Sequence, residues 1–318
     1  MLDVLVIGEV LVDFMPRTAG KKVRDVEDWK RCVGGAPANV AVGLARLGAK
    51  VALCGCTGDD EFGHFLKNAL AHEGVEVSGL RQTTEGKTGL GFISLDQNGE
   101  RSFTFYRVNA AEYLVDARDV NPEAIRAAKV LHLGTNSLLL APARAAVAQA
   151  ALVMRGKGGI VSCDPNLRLH LWKDPTELRR WLDVLVPQLT VLKLSEEEIE
   201  FVTGARDVDG ALERIAGPAL VVVTRGEKGA VLKTERERVE VPTVPCTVVD
   251  TTGAGDGFMT GLLYGLTRSC SAPADVAALD AEALRKLGTL GCAIGTRVVG
   301  FLGAVSGLPR REEVQQLL

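Results

Sequence analysis

The sequence predicts an α/β fold: a doubly wound, mainly parallel sheet with helices on both faces, accompanied by a small β lid. Short apolar strands alternate with amphipathic helical patterns along most of the chain, which is typical of a parallel sheet covered on both sides. Glycines stand where several of the helices begin or end. Two extended stretches, near residues 10–32 and 88–106, interrupt the alternation, and we expect them to form the lid.

The first half of the chain shows the alternation clearly. Residues 2–8 form an apolar strand, and the Gly34-Gly35 pair then opens a helix at about 37–47. Apolar side chains recur on one face of that helix, so this face is predicted to be buried. A strand at 51–53 and a helix at 60–73 continue the pattern.

The later elements follow the same order, with strands predicted near 130–133, 159–163, 191–194 and 219–224 and helices between most of them. In the interrupting region, residues 88–95 and 101–106 are predicted strands, joined by the hairpin turn Asp96-Gln97-Asn98-Gly99. We therefore assign the lid to residues 13–32 and 87–111, and the main domain to residues 1–12, 33–86 and 112–318.

Composition excludes several classes of protein. The chain has 318 residues, 47% of them hydrophobic, and a net charge of −3, whereas nucleic-acid-binding proteins usually carry a basic excess. No apolar run reaches the roughly 18 residues that a membrane span needs. The seven cysteines are scattered and the four histidines lack metal-ligand spacing. We expect a cytoplasmic protein with reduced thiols and no nucleic-acid or membrane partner.

The strongest local signal is a glycine turn between a strand and a helix, Asp250-Thr251-Thr252-Gly253-Ala254-Gly255-Asp256. The backbone amides of Gly253, Ala254 and Gly255 are expected to stay unpaired at the helix N-terminus and to face an anion. Asp256 is either an acid favoured by the helix dipole or a general base beside that anion hole. The segment is neither a Walker A loop nor a dinucleotide-binding fingerprint, because the required lysine and third glycine are missing.

A second glycine-rich segment lies early in the chain, where Gly34 and Gly35 precede small residues and Asn39. Glycines let a ligand lie against the backbone, and the Asn39 amide can donate to and accept from hydroxyl groups. The alternative is a tight strand-to-helix turn with a polar residue in the first helical turn.

Together the two segments resemble the paired signatures of the ribokinase-like (PfkB) carbohydrate kinases, and the similarity spans essentially the whole chain. The resemblance implies that Asp256 deprotonates a sugar hydroxyl while the amides of residues 253–255 hold charge on the transferred phosphoryl group. It also implies that Asp13 bonds sugar hydroxyls, with Gly34, Gly35 and Asn39 completing that wall.

The resemblance further implies sites for MgATP and for a monovalent cation. Glu198 matches the glutamate that organises Mg²⁺ through water, and Ser195 stands where the family usually has asparagine. Thr224 and Gly226 resemble the nucleotide-binding Thr-x-Gly, and Gly303 belongs to the C-terminal Gly-Ala. Asp250 and Thr252 match residues that hold a monovalent cation, K⁺ for instance, in some members. Arg168 and Arg225 are further groups that we expect to offset the charge of ATP.

Two segments bear on the substrate. Cys163-Asp164-Pro165-Asn166-Leu167-Arg168 and Phe105-Tyr106-Arg107 resemble segments of bacterial fructokinases and of 2-keto-3-deoxygluconate kinases. Arg107 and Arg168 suit a keto sugar or a sugar acid. We expect fructokinase activity first, the keto-deoxy acid kinase second, and a ribokinase or nucleoside kinase third. A sugar sensor without catalysis would be expected to lose Asp256 or the glycines, and both are present. If the chain associates with itself, we expect a homodimer formed through the lid.

Overall fold

The structure, a computed structural model, describes residues 1–17, 20–95, 101–136 and 138–317. Within these residues the largest element is a nine-stranded sheet with the order β13-β12-β11-β10-β9-β8-β1-β4-β5. All neighbouring strands from β5 to β11 are parallel, and only the pairs that include β12 are antiparallel. The strands of both sheets are β1 Leu2–Ile7, β2 Leu11–Pro16, β3 Trp29–Gly34, β4 Val51–Gly58, β5 Leu80–Thr83, β6 Leu90–Leu95, β7 Arg101–Tyr106, β8 Ala128–Leu133, β9 Ile160–Cys163, β10 Val191–Ser195, β11 Leu220–Thr224, β12 Ala230–Lys233 and β13 Arg238–Val241.

Helices cover both faces of the large sheet, as the sequence predicts. Alternate residues of one strand enter different cores: Val4 and Val6 of β1 pack on one side, Leu5 and Ile7 on the other. The first core includes α1, α2, α8 and α10, and the second includes α3, α4, α5 and α7. The helices are α1 Ala36–Arg46, α2 Glu61–His72, α3 Pro122–Ala127, α4 Ala141–Gly156, α5 Pro175–Leu185, α6 Ile199–Thr203, α7 Val208–Arg214, α8 Ala254–Ser269, α9 Pro273–Ala277, α10 Ala281–Val299 and α11 Ala304–Gly307.

A second sheet of four strands, ordered β3-β2-β6-β7, forms the small β layer that the sequence predicts. Its core is aromatic: Phe14 on β2 stacks on Phe92 of β6 with ring centroids 4.6 Å apart, and Trp29 meets Phe92 edge-on. Strands β2 and β3 together extend from Leu11 to Gly34, slightly beyond the predicted lid segment 13–32. The predicted turn at residues 96–99 lies outside the described residues.

Three short strands, β5, β12 and β13, escape the sequence analysis. The last two form an antiparallel hairpin at the sheet edge, where Arg238 and Glu240 face solvent between buried valines. Charged side chains are usual on an edge strand. In a segment of only four residues they leave two apolar residues, too few to predict a strand from the sequence. Among the described helices, none combines the length and apolar character that crossing a bilayer requires.

Candidate active site

A cleft of about 730 Å³ runs along the carboxyl ends of the large sheet's strands. Its floor comes from residues that follow β1, β8 and β9, from the ends of β10 and β11, and from the first turn of α8. Side chains of the second sheet, Ile93 and Phe105 among them, also line it. Ligands of open α/β sheets bind at this edge, so the cleft is the natural place for the predicted site residues.

The glycine turn before α8 differs in one respect from the turn predicted for the anion site. Gly253 has φ 81° and ψ 4°, the left-handed conformation of the third residue in a type II turn. The turn closes through the Ala254 amide, which donates to the Thr251 carbonyl at 3.3 Å and is therefore not unpaired. The amides of Gly253 and Gly255 have no acceptor among the described residues. Two amides, not three, are thus left for an anion.

Gly253 is also required by its surroundings. A Cβ at this position would lie 2.3 Å from the Cβ of Ala304, at the start of α11. The predicted C-terminal Gly303-Ala304 pair therefore packs behind the anion site. Gly303 itself does not line the cleft; its amide donates to Asp250 Oδ2 at 3.0 Å.

Asp256 and Asn39, which are far apart in sequence, meet in the cleft. Asn39 Nδ2 donates to Asp256 Oδ2 at 2.8 Å, and both side chains are buried. Burial raises the pKa of Asp256 to about 6, although the Asn39 hydrogen bond and the Lys193 charge act in the opposite direction. A carboxylate with a pKa near 6, held beside two free amides, has the properties of a general base.

Asp13 lies half-buried on β2, directly opposite Gly91 of β6. A Cβ at Gly91 would come within 2.7 Å of Asp13 Oδ1, and a Cβ at Gly34 within 2.3 Å of Oδ2. Gly34, predicted to make room for a ligand, makes room for this carboxylate instead and does not line the cleft. Burial, with the nearby charges of Asp256 and Asp250, raises the pKa of Asp13 to about 7.

Gly35 lines the cleft, and its backbone explains why glycine is needed. Its φ is +97°, and a Cβ would lie 2.5 Å from the Glu9 carbonyl oxygen. Glu9 follows β1 and is buried, with its carboxylate accepting from Asn136 Nδ2 at 3.2 Å. Burial raises the pKa of Glu9. Sequence analysis missed Glu9 and Asn136; their only signal is that each follows a buried strand.

Several buried polar atoms of the cleft have no hydrogen-bond partner among the described residues: Glu9 Oε2, Asn39 Oδ1, Asn136 Oδ1 and Arg107 Nη2. Leaving such atoms unpaired costs free energy, on the order of 1–3 kcal/mol for each. Their shared position in one cleft suits a ligand that both donates and accepts hydrogen bonds there.

The two predicted substrate arginines differ. Arg107 is buried, and its Nε donates to Glu112 Oε1 at 2.8 Å. Burial raises the pKa of Glu112 while the Arg107 charge opposes that rise. Arg168 is exposed, and its guanidinium donates to the carbonyls of Asn166 and Leu167 at 3.3 and 3.0 Å. Both arginines line the cleft, but of the two only Arg107 is paired with an acid among the described residues.

The other half of the cleft is built from strand ends. Ser195, Thr224 and Gly226, the residues predicted to bind the nucleotide, line it. Gly226 has φ +57°, and a Cβ there would meet no atom within 4 Å, so the space beside it is open. Arg225 also lines the cleft, but its charge is already paired with Glu240 at 3.0 Å.

The predicted cation ligands are strongly tied to the backbone. Glu198 accepts from the amides of Leu167 and Ser195 at 2.5 and 2.8 Å. Asp250 Oδ1 accepts from the amide and the hydroxyl of Thr252 at 2.9 and 2.7 Å. Thr252 lines the cleft and Asp250 lies behind it. Across the ranges that the structure describes, no group of three or more His, Cys, Asp or Glu side chains is arranged to hold a metal by itself.

One further pair lies beside the anion site. The ammonium of Lys193 on β10 contacts Asp164 Oδ2 at 2.9 Å, and both side chains are buried. Lys193 was not predicted as a site residue. Its signal is a charged residue inside the otherwise apolar strand segment Val191-Leu192-Lys193-Leu194.

Comparison with known proteins is consistent with this geometry. Residues 1–311 match the pfkB family of carbohydrate kinases. The chain is 39% identical to probable fructokinase-4 of Arabidopsis thaliana over 98% of this chain and 95% of the relative. Among solved structures, the fructokinase of Xylella fastidiosa with bound ATP superimposes with a TM-score of 0.88 at 32% identity, covering 99% of this chain and 97% of that one. A double mutant of the Vibrio cholerae O395 fructokinase with fructose, ADP and potassium bound gives 0.86 at 32% identity, covering 100% and 98%.

Proposed function

Because this chain belongs to the pfkB family of carbohydrate kinases, we propose that its own reaction is the transfer of the γ-phosphoryl group of ATP to a hydroxyl group of fructose. The observation that carries the proposal is the contact between Asn39 and Asp256. The contact supports Asp256 as the base, because Asp256 then lies between the half of the cleft with unpaired polar side-chain atoms and the half with free backbone amides.

In the proposed reaction Asp256 accepts the proton of the attacking hydroxyl. Asn39 holds one carboxylate oxygen, so the other is left to face the sugar. The sugar oxygen forms a bond to the γ-phosphorus, the bond from that phosphorus to the β–γ bridging oxygen breaks, and ADP leaves. The amides of Gly253 and Gly255 donate to the oxygens on which negative charge collects.

The nucleotide half of the cleft suits a hydrated Mg²⁺ ion. Glu196, Glu197 and Glu198 supply carboxylate oxygens at its wall, and Mg²⁺ is commonly held by one or two carboxylates, water and phosphates. When bound, the ion would neutralise phosphate charge. The backbone amides of Leu167 and Ser195 fix the orientation of Glu198 for this role.

A neutral sugar is supported by the charges of the sugar half. Glu9, Asp13 and Asp256 line it, and the buried Arg107 is already paired with Glu112. A carboxylate on the substrate would therefore meet acidic side chains and a buried cation that already has a partner, while Arg168, the other arginine of the cleft, is exposed. Neutral hydroxyl groups satisfy the unpaired atoms without adding charge.

Three further expectations stay part of this proposal. We propose that residues 13–32 and 87–111 act as a lid over the sugar, supported by the presence of Phe105 and Arg107 in the cleft. We also propose K⁺ near Asp250 and Thr252, as the potassium-bound relative suggests. Exposed Tyr106 and Val108 on the lid support self-association through that surface.

The substrate is tested by comparing D-fructose with 2-keto-3-deoxygluconate and ribose at saturating MgATP, with ADP release as the readout. We expect kcat/KM for fructose to exceed that for the keto-deoxy acid at least tenfold, a difference of about 1.4 kcal/mol. The reverse preference would reassign the chain to the sugar-acid kinases.

A matched pair of variants sharpens the comparison. Glu112→Gln frees the charge of Arg107 and should lower the preference for fructose over the acid about tenfold, because Arg107 can then pair with a substrate carboxylate. Glu213→Gln, which neutralises an exposed glutamate outside the cleft, should leave that preference unchanged. An unchanged preference in Glu112→Gln would show that the Arg107–Glu112 pair does not select the sugar.

A further inference from the structure

We propose that Lys193 is a second catalytic group of the phosphoryl-transfer site: its ammonium, held by Asp164, donates to an oxygen of the transferred phosphoryl group beside the Gly253 and Gly255 amides. This inference rests on the proposed kinase reaction. It adds a charged donor to a site that the sequence analysis assigned to backbone amides alone.

The first argument is the number of donors that Lys193 leaves unused. An ammonium group has three N–H donors, and the only hydrogen-bond partner of the Lys193 ammonium among the described residues is Asp164 Oδ2 at 2.9 Å. The residue is 4% exposed and lines the cleft, so the other two donors can be reached only from the cleft. A buried ammonium with unused donors is costly unless another negatively charged group completes its surroundings.

The second argument is position. A Cβ at Gly255 would lie 3.0 Å from Lys193 Nζ and 4.0 Å from Asp164 Oδ2. The ammonium therefore lies against the backbone of the turn whose amides are free, and Lys193, Asp164 and Gly255 all line the cleft. Gly255 keeps the space between the ammonium and the turn open, which a side chain would fill.

The third argument is charge. The other cations at this end of the cleft are engaged or exposed: Arg225 pairs with Glu240, and Arg168 bonds backbone carbonyls at the surface. Burial alone would lower the pKa of Lys193, but the charges of Asp164 and Glu198 outweigh it and the pKa is raised. Lys193 thus stays charged at neutral pH.

These observations assign distinct roles. Lys193 keeps its proton throughout, because the sugar proton goes to Asp256, and its charge strengthens hydrogen bonds to the phosphoryl oxygens as negative charge collects there. Asp164 is a positioning residue that fixes the ammonium. Its second oxygen accepts from the Asn166 amide at 3.2 Å, which fixes the carboxylate in turn.

The test uses Lys193→Met, which removes the charge at similar length, together with Lys193→Arg and the double variant Lys193→Met/Asp164→Asn. The double variant removes both charges, so it does not leave a buried carboxylate unpaired if Lys193→Met alone is unstable. We expect kcat to fall about a hundredfold in both neutral variants while KM for the sugar changes less than threefold. Lys193→Arg should recover part of the loss.

Nucleotide binding gives a readout that is independent of turnover. Calorimetry compares ADP alone with ADP plus aluminium fluoride, a mimic of the transferred phosphoryl group, both with Mg²⁺ and fructose. Loss of Lys193 should weaken binding of the aluminium fluoride complex at least thirtyfold and binding of ADP less than fivefold. Equal weakening of both, or a double variant that keeps more than a third of wild-type kcat, would overturn the role of Lys193.

The outcome separates this inference from the proposed function. Wild-type protein that phosphorylates no sugar contradicts the proposed function itself. Wild-type protein that phosphorylates fructose, together with a neutral Lys193 variant of unchanged kcat, contradicts only the inference. A purely structural pair would lower the melting temperature in Lys193→Met, and the double variant would then restore both stability and kcat.

Discussion

The two halves of the cleft are built on different principles. The half proposed for the sugar uses buried side chains, among them Glu9, Asn39 and Asn136, each with a polar atom that has no hydrogen-bond partner among the described residues. The half proposed for the nucleotide uses strand ends, as at Thr224, and the backbone amides of Gly253 and Gly255. Side chains can be changed one at a time to select a sugar, whereas backbone amides bind phosphate without regard to what carries it.

Charge follows the same division. In the sugar half, burial raises the pKa values of Asp13 to about 7 and of Asp256 to about 6, so acids are held there at an energetic cost. On the other side of Asp256, Lys193 and the free amides supply positive charge. Asp256, the proposed base, lies where the two regions meet, and the variants below change either that boundary or one side of it.

The largest effect is expected at the boundary itself. Asp256→Asn keeps the shape of the side chain but cannot accept the proton, so kcat should fall on the order of a thousandfold. Steady-state kinetics with circular dichroism as the folding control measures this. A variant that keeps more than a tenth of wild-type kcat would show that Asp256 is not the base.

A smaller loss is expected on the phosphate side. Gly255→Ala puts a methyl group 3.0 Å from Lys193 Nζ, so either the ammonium or the turn must shift, and kcat should fall roughly ten- to a hundredfold. Gly156→Ala is the matched control, because a Cβ there meets nothing within 4 Å and the residue is exposed at the end of α4. Equal kcat in the two variants would show that the turn does not take part in catalysis.

The pH dependence of kcat/KM tests the proposed role of Asp256 as the base. Asp256 must be deprotonated to accept a proton, and its pKa in the free enzyme is about 6. We therefore expect kcat/KM for fructose to be level above pH 7 and to fall about tenfold per pH unit well below pH 6. A profile that stays level down to pH 4.5 would contradict a raised pKa for the base.

The smallest expected effect is on stability. The folded-state pKa of Asp13 is raised to about 7, so the contribution of its protonated form to stability is lost as pH rises through 7. Asp13→Asn should then raise the melting temperature by about 2–4 °C at pH 8 and hardly change it at pH 3.5, where the aspartic acid is protonated in the folded state and largely so in the unfolded state. Thermal unfolding at the two pH values measures the difference. An Asp13→Asn variant that melts at a lower temperature than the wild type at pH 8 would contradict the raised pKa of Asp13. The same variant should bind fructose more weakly.

Local patterns predict the parts of the site that depend on backbone conformation. The turn at Gly253 and the helix after Gly35 follow from glycines at strand-to-helix junctions, and the resemblance to a family connects Asn39 with Asp256 across the chain. The prediction that the Ala254 amide is free was wrong, because this amide closes the turn by donating to the Thr251 carbonyl. The local sequence pattern does not show which amide closes the turn. Lys193, Asp164 and Glu9 were missed because each acts through neighbours from other strands, and no short-range spacing records such contacts.

The packing of Ala304 behind Gly253 has a consequence for synthesis on the ribosome. Ala304, which packs against the turn of the predicted anion site, is added to the chain roughly fifty residues after the turn itself. The hydrogen bond from the Gly303 amide to Asp250 likewise forms only after Gly303 has been made. Because synthesis runs from the N-terminus, Glu9, Asp13 and Asn39 are made early, whereas the wall behind Gly253 is complete only once Ala304 has been made. A nascent chain therefore contains part of the proposed sugar half well before it can complete the turn proposed for phosphoryl transfer.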